Sequence, residues 1–182
     1  MSKLVLIRHG KSVGNCWDGA YNNDDMNFLS LEGIEQAKQA ATKVASLPFD
    51  IDFWTCSPMT RARNTTSVIM QSMGLMAQPV HSIIPEFKEK HSGLAGINLN
   101  QIEDESKEEF FIRVEDGVAR ILKPYLKQGN TVLVAHRYVI SVIFKIFADT
   151  EIYTKKKKVP HCEPLVLTFT ETPNINKLLK PV

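Results

Sequence analysis

The chain has 182 residues, of which 43% are hydrophobic and 23% are charged, and its formal net charge is +2. This composition excludes a disordered chain, which has few apolar residues and a large net charge. The nearly balanced charge also argues against a nucleic-acid-binding surface, which is typically strongly basic. A chain of this length is expected to bury one core, so we predict a single domain over residues 1–182, with a tail of uncertain structure at 173–182.

The cysteines and the N-terminus are typical of a cytoplasmic protein. Cys16, Cys56 and Cys162 are odd in number and widely separated, and they match neither a disulfide framework nor a zinc-ligand pattern. The first apolar run, residues 4–7, is much too short for a signal peptide or a membrane span. We therefore expect reduced thiols and a cytoplasmic location, with no membrane and no nucleic-acid partner. The oligomeric state is left open.

Strands and helices are predicted to alternate from the N-terminus. Residues 4–7 form a short, continuous apolar strand that ends in Arg8-His9-Gly10. An amphipathic helix follows over residues 31–47, with Ser30 as its N-cap. Residues 51–56 form the next strand. Ser57 and Pro58 then have the residue types of an N-cap and a first helical position, so a helix is expected from there to about Met73.

The second half repeats this order after an irregular segment at residues 80–100. A helical face extends over residues 105–127, where Pro124 is expected to kink the last turn. The apolar strand 131–135 ends at His136, and a further apolar helix covers 139–147. A final strand is predicted at 165–169. Repeated strand–helix units predict an α/β fold, a three-layer α/β/α sandwich with a largely parallel central sheet.

Three of the predicted strands end in cationic or imidazole side chains. Arg8 and His9 follow the first strand, Arg61 lies one turn beyond the second, and His136 follows the third, at residues 131–135. The carboxyl ends of parallel strands meet at one edge of a sheet. Guanidinium groups match phosphate oxygens, and a neutral imidazole is a nucleophile near physiological pH, so the set favours phosphoryl transfer. Two of these residues also have an interpretation without a function. His9 could be an ordinary core histidine, and Arg61 could be a solvated surface charge, as Arg63 could.

The sequence resembles the histidine phosphatase superfamily from residue 4 to about residue 169. That group includes cofactor-dependent phosphoglycerate mutase, the fructose-2,6-bisphosphatase domain and α-ribazole phosphatase. Three blocks, in order along the chain, support the resemblance. They are Arg8-His9-Gly10-Lys11-Ser12-Val13-Gly14-Asn15, which matches the RHG-x-S-x-x-N motif, Leu29-Ser30-x-x-Gly33-x-x-Gln36-Ala37, and Ser57-Pro58-x-x-Arg61-Ala62-x-x-Thr65. The resemblance implies a phosphoglycerate mutase-like fold.

The resemblance also implies roles for individual residues. His9 is expected to be phosphorylated, while Arg8, Arg61, His136 and Asn15 bind the transferring phosphoryl group, His136 most effectively as a cation. The implied activity is that of a metal-independent histidine phosphatase, a phosphoric monoester hydrolase that needs no cofactor. Its partner is then a small phosphorylated substrate. The alternatives are a phosphoglycerate mutase-type transfer and a catalytically silent phospholigand-binding module; the short chain favours hydrolysis over the mutase.

The general acid must come from the irregular segment, where Glu86, Glu89 and His91 are all available. The stretch from 87 to 93 fits the family pattern of an apolar residue, one intervening residue, Glu, three residues and Gly. This pattern implies Glu89 as the acid in the first step and as the base that activates water in the second. Glu86 is the alternative.

Two departures from the family pattern leave the substrate open. The usual glycine after the second catalytic histidine is replaced by Arg137, which either binds a second acidic group or narrows the entrance, or else points to solvent at the start of a helix. The segment 93–96 lacks the Trp-Glu-Gly ending of the smaller phosphatases. The four lysines at 155–158 are read as a solvated loop, with an anion-attracting rim as the alternative.

Overall fold

The computed structural model describes residues 2–16, 27–90, 105–148 and 159–169, and at positions 15, 16 and 148 it describes the backbone alone. Five strands in this part of the chain form one sheet, in the order β3-β2-β4-β1-β5. They are β1 (Ser2–Arg8), β2 (Phe53–Cys56), β3 (Ser82–Ile83), β4 (Thr131–Ala135) and β5 (Leu165–Phe169). β1 to β4 are mutually parallel, and β5 pairs with β1 in the antiparallel direction. The predicted, largely parallel sheet is confirmed.

Helices cover both faces of this sheet. They are α1 (Val13–Cys16), α2 (Leu31–Ala45), α3 (Thr60–Ser72), α4 (Lys107–Gly117), α5 (Lys123–Gln128) and α6 (Arg137–Ala148). Side chains alternate along β1, so Leu4 and Leu6 pack with α4, α5 and α6, while Val5 and Ile7 pack with α2 and α3. β4 is buried on both faces, as expected of a central parallel strand. The fold is thus the predicted α/β/α sandwich.

The helix ends follow local sequence signals, with one exception. The Ser30 side chain accepts a hydrogen bond from Gly33 N and caps α2, as predicted. Ser57 does not cap α3, which begins two residues later than expected and has Met59 as a cap without a side-chain bond. The prediction of Ser57 as an N-cap is wrong because its hydroxyl is bound to His136 instead.

The predicted kink near Pro124 is a local widening of one continuous helix. A π-helical turn, Val118–Leu122, joins α4 to α5, and Lys123 N donates to Val118 O five residues earlier. Proline has no N–H and its ring clashes with the carbonyl four residues before it, so the wider turn accommodates Pro124. The helix therefore remains packed on the sheet along its length.

The carboxyl ends of β1, β2 and β4 lie side by side. His9 N donates to Ala135 O at 2.9 Å, and Ser57 N donates to Val134 O at 2.9 Å, so the chain leaves all three strands at one edge. The irregular segment contains β3 and a 3₁₀ turn, Pro85–Phe87, before residue 91. The predicted features at 91–104, 155–158 and 173–182 lie outside the described residues. Within the described part, no helix is long and apolar enough to cross a bilayer.

Candidate active site

The ring of His9 is buried and fixed in one tautomer. Its Nδ1 lies 2.8 Å from Gly10 O, and because a carbonyl can only accept, Nδ1 carries the proton. The opposite nitrogen, Nε2, keeps its lone pair and accepts from Arg61 Nε at 3.2 Å. Burial, followed by the positive charge of Arg61, holds the pKa of His9 well below its ordinary value of 6.5. Nε2 is therefore an unprotonated nitrogen at neutral pH.

The loop after His9 is held by both neighbouring helices. Gly10 N donates to Thr65 Oγ1 on α3 at 3.0 Å, and Lys11 N donates to Gln36 Oε1 on α2 at 2.9 Å. A Cβ on Gly33 would lie 2.0 Å from Lys11 O, so only glycine permits this approach. The second and third sequence blocks therefore support the nucleophile loop, which the first block forms.

Two buried donors face the site without a partner among the described residues. They are Arg8 Nε and His136 Nδ1. The rings of His136 and His9 are 5.0 Å apart, measured between centroids. A buried polar atom without a partner is costly, and a bound anion would satisfy both donors together. The Nη1 group of Arg8 is anchored on Val159 O at 2.8 Å, which fixes the guanidinium in place.

Ser57 is hydrogen-bonded to the His136 ring. Its hydroxyl lies 2.7 Å from His136 Nε2 and also accepts from Met59 N at 3.3 Å. When this hydroxyl donates to Nε2, the imidazole proton lies on Nδ1. Burial, followed by the charge of the neighbouring groups, lowers the pKa of His136 well below 6.5. Without a bound anion, burial and the neighbouring positive charges therefore favour the neutral imidazole of His136.

The structure places Glu89 in this cluster and Glu86 outside it. The Glu89 carboxylate accepts from Lys90 N at 3.0 Å and lies 3.5 Å from Tyr138 N in the first turn of α6. Burial raises the pKa of Glu89 above its ordinary value of 4.5, although those N–H groups, Arg61 and Arg8 lower it. Glu86 instead lies against the end of α4 at Gly117, and Arg120 of the following π-helical turn approaches one of its carboxylate oxygens to 3.5 Å. His91 lies outside the described residues.

Arg137 begins α6 beside the same cluster. Its guanidinium lies over the Tyr138 ring at 5.0 Å, and its charge contributes to lowering the pKa of Arg8. Among the described residues it has no acidic partner within salt-bridge distance, in contrast to Arg113 and Arg120. The expected phosphate contact of Asn15 is not described, because only the backbone of that residue is.

Two contacts at the site could not be predicted from the sequence motifs. His161 Nδ1 donates to His9 O at 2.6 Å, and the two rings meet edge to face at 5.3 Å. Met59 Sδ accepts from Arg61 Nη2 at 3.2 Å and from Glu89 N at 3.3 Å, so it links these two side chains. No group of three or more His, Cys, Asp or Glu in the described ranges could hold a metal ion.

Cys162 follows His161 and faces the same strand end, but it is not a competing nucleophile. Its backbone N donates to Arg8 O at 2.8 Å. Burial raises the pKa of its thiol to about 12, so the sulfur stays protonated. His9 is thus the better nucleophile of the two.

Comparisons with known proteins agree with this geometry. Residues 4–95 match the family model of the histidine phosphatase superfamily (branch 1). A 2,3-bisphosphoglycerate-dependent phosphoglycerate mutase of Nautilia profundicola is 36% identical over 113 residues, covering 62% of this chain and 48% of that protein. The chain spans about half the length of the curated relatives it matches.

Solved structures with this fold cover nearly the whole chain. The α-ribazole phosphatase from Shigella flexneri has a TM-score of 0.72 and 26% identity, covering 93% of this chain and 92% of that one. The ecdysone phosphate phosphatase from Bombix mori, solved with tungstate, has a TM-score of 0.68, covers 93% of this chain and 90% of its own, and is 16% identical. At 16% identity, the comparison with the ecdysone phosphate phosphatase shows a shared fold alone.

Proposed function

Since the chain belongs to the histidine phosphatase superfamily, we propose that it hydrolyses phosphate monoesters through a covalent phosphohistidine on His9, with Glu89 as general acid and base and without a metal. One observation carries the proposal above all others. His9 Nε2 accepts from Arg61 Nε, the His136 ring is 5.0 Å from the His9 ring, and the charge of Arg8 acts on His9; Arg8 Nε and His136 Nδ1 are both buried without a partner among the described residues. This is a nucleophile surrounded by donors for the oxygens of a phosphoryl group.

The first step transfers the phosphoryl group to the enzyme. The lone pair of His9 Nε2 attacks phosphorus while the bond to the leaving oxygen breaks, and the proton of the Glu89 carboxyl passes to that oxygen. Arg61 exchanges its bond to Nε2 for a phosphoryl oxygen, and Arg8 and His136 donate to the others. The imidazole becomes cationic, and Gly10 O stabilises it through the Nδ1 proton.

The second step returns the enzyme to its starting state. A water molecule attacks phosphorus as the ionised Glu89 carboxylate accepts one of its protons. The bond between phosphorus and His9 Nε2 breaks, the electron pair returns to the nitrogen, and inorganic phosphate leaves. The same arginines and His136 neutralise charge in both steps, so the mechanism requires no metal ion.

Hydrolysis is favoured over mutase transfer by the structural comparison. The phosphatase from Shigella flexneri aligns with the chain over nearly its full length. In sequence, the mutase relatives align over about half of their length, and in structure a phosphoglycerate mutase from Bacillus anthracis aligns over 80% of its own. The greater sequence identity of the mutase relatives makes phosphoryl transfer between two substrate positions the second candidate. The two reactions share the phosphohistidine and differ in whether water or a second hydroxyl accepts the phosphoryl group.

Arg137 is proposed to select substrates with a second acidic group. It lies beside Arg8 and has no acidic partner among the described residues, so a second anion on the substrate would pair with it. The test compares two esters of equal size, one with a carboxylate and one with a neutral amide, in Arg137→Gly and the parent protein. We expect Arg137→Gly to raise KM for the acidic ester alone. Equal KM changes for both esters would contradict the proposal.

The function is tested with a panel of phosphate monoesters in the presence of a chelator. The parent protein should release inorganic phosphate, and His9→Ala should release none. Exchange of phosphate between two positions of a sugar acid, without release, would instead identify a mutase. Tight binding of phosphate esters without either reaction would identify a silent binding module and contradict the proposal.

A further inference from the structure

The backbone that leads into Glu89 is bound to α4 by a single arginine. Arg113 Nη1 donates to Glu86 O at 2.5 Å and to Lys88 O at 3.0 Å. The Lys88 carbonyl belongs to the same peptide group as the Glu89 N–H, which donates to Met59 Sδ at 3.3 Å. The peptide plane immediately before Glu89 is thus held from both sides by side chains.

Arg113 is itself fixed in orientation. Its Nε and Nη2 donate to the two carboxylate oxygens of Glu105 at 2.6 and 2.7 Å, and its guanidinium lies over the Phe110 ring at 5.0 Å. Lys90 Nζ donates to the backbone oxygen of Glu105 at 2.8 Å, so the residue after Glu89 and Arg113 are both bound to Glu105. Arg113, Glu105 and Lys90 together form what we call the Arg113 clamp.

The clamp is not needed to begin α4. Ser106 and Glu109 already form a complete capping box there, which satisfies the N–H groups of these two residues. Two of the Arg113 bonds go to carbonyls of another segment, and a lysine could not reproduce its planar fork of donors. What the clamp fixes is therefore the path of the chain on either side of Glu89.

We propose that Arg113, held by Glu105, is a positioning residue that places the Glu89 carboxyl within reach of the leaving oxygen. The inference rests on the proposed function, in which Glu89 is the general acid. Such an acid must lie within about 2.6–3.2 Å of the atom that it protonates. Loss of the clamp releases the backbone around Glu89 and leaves His9, Arg8, Arg61 and His136 in place.

Two esters that differ in their leaving group separate this role from a general loss of structure. The alkoxide of glycerol phosphate must be protonated as it leaves, whereas the phenolate of p-nitrophenyl phosphate leaves without an acid. We expect Arg113→Ala to lower kcat/KM for glycerol phosphate by about 10- to 100-fold, as misplacement of a catalytic group by ~1 Å does. The value for the aryl ester should change less than about 3-fold. kcat/KM reports the step that forms the phosphoenzyme.

Matched variants complete the experiment. Arg113→Lys and Glu105→Ala should reproduce the selective loss. Arg120→Ala removes an exposed arginine from the same helical stretch and should leave kcat/KM unchanged for both esters. Thermal unfolding confirms that each variant is folded. If Arg113→Lys lowers kcat/KM equally for both esters, or for neither of them, the inference is overturned. Glu89→Gln is measured beside them: if it shows no leaving-group dependence, the proposed role of Glu89 fails, whatever the clamp variants do.

Discussion

The reactivity of His9 depends on which of its two ring nitrogens carries the proton. Gly10 O fixes that proton on Nδ1, and the low pKa keeps Nε2 unprotonated. Glu89 has the opposite requirement, because an acid must be protonated, and burial raises its pKa. The two shifts act in opposite directions on neighbouring groups, which is the arrangement that lets a nucleophile and an acid work at one pH.

A pH profile measures these two shifts. For glycerol phosphate, kcat/KM should fall as the pH rises through the raised pKa of Glu89, where its proton is lost. It should fall on the acid side only well below 6.5, where His9 becomes protonated. Glu89→Gln should lower the rate by about 10²- to 10⁴-fold and abolish the fall on the alkaline side. A separate titration of each free ester corrects its profile for ionisation of the substrate. An unchanged alkaline limb in Glu89→Gln would contradict this assignment.

His161 is expected to orient the nucleophile through its bond to His9 O. Replacement by alanine removes that donor, and we predict a fall in kcat/KM of roughly 10-fold, below the cost of a full ~1 Å misplacement. In His161→Asn the side-chain amide can donate from nearly the same position as Nδ1, so most of the activity should return. Steady-state kinetics with both esters measures the effect. Equal losses in the two variants would contradict an orienting role.

At the scale of elements, the nucleophile loop depends on contact with the start of α2. A Cβ at position 33 would collide with the Lys11 carbonyl, which is backbone and cannot rotate away. Gly33→Ala should therefore lower the free energy of unfolding by about 1–3 kcal/mol, the usual cost of overpacking, and reduce kcat as the loop moves. Chemical denaturation measures the change in the free energy of unfolding, and steady-state kinetics measures the change in kcat.

Gly74 supplies the control for this substitution. It has a positive φ of 74°, but nothing lies within 4 Å of where its Cβ would be. Asparagine tolerates this left-handed conformation, so Gly74→Asn should leave both stability and kcat nearly unchanged. Similar losses in Gly33→Ala and Gly74→Asn would show that close packing at the loop is not the cause.

The sequence predicts the elements better than it predicts their contacts. Their apolar runs predict β1 and β4. Because the carboxyl ends of parallel strands meet at one edge of a sheet, these two strands also predict that Arg8, His9 and His136 lie close together. The short edge strand β3 has only two residues and no periodicity to detect. The roles of Ser57 and His161 depend on partners 79 and 152 residues away, which local patterns do not indicate. Ser57 has the residue type of a cap, and a tertiary bond to His136 overrides that preference.

Across the whole molecule, the site combines two buried histidines with the positive charges of Arg8 and Arg61, and burial and these charges lower the pKa values of both histidines. The folded pKa values of His9 and His136 lie well below 6.5, whereas in the unfolded chain they return to that value. Between those limits the unfolded chain binds more protons, so the unfolding free energy should fall as the pH drops below 6.5. Above 6.5 these two groups should contribute no pH dependence.

An oxyanion should oppose this loss, since its negative charge would stabilise protonated His9 and His136. Tungstate at 100 times its Kd should raise the unfolding free energy by about 2.7 kcal/mol. The melting temperature, measured from pH 5 to 8 with and without tungstate, tests both expectations. Arg61→Ala should lose the tungstate effect, while Arg120→Ala should keep it. Equal stabilisation of the two variants would place the anion elsewhere.

The most direct test of the central claim is to trap the phosphoenzyme. The protein is mixed with a radiolabelled phosphate monoester in chelator, quenched in alkali within milliseconds, digested and mapped by mass spectrometry. We predict an acid-labile, alkali-stable phosphoryl group on the peptide that contains His9, its appearance preceding phosphate release, and none in His9→Ala. Turnover without label on His9, or undiminished turnover by His9→Ala, would contradict the account.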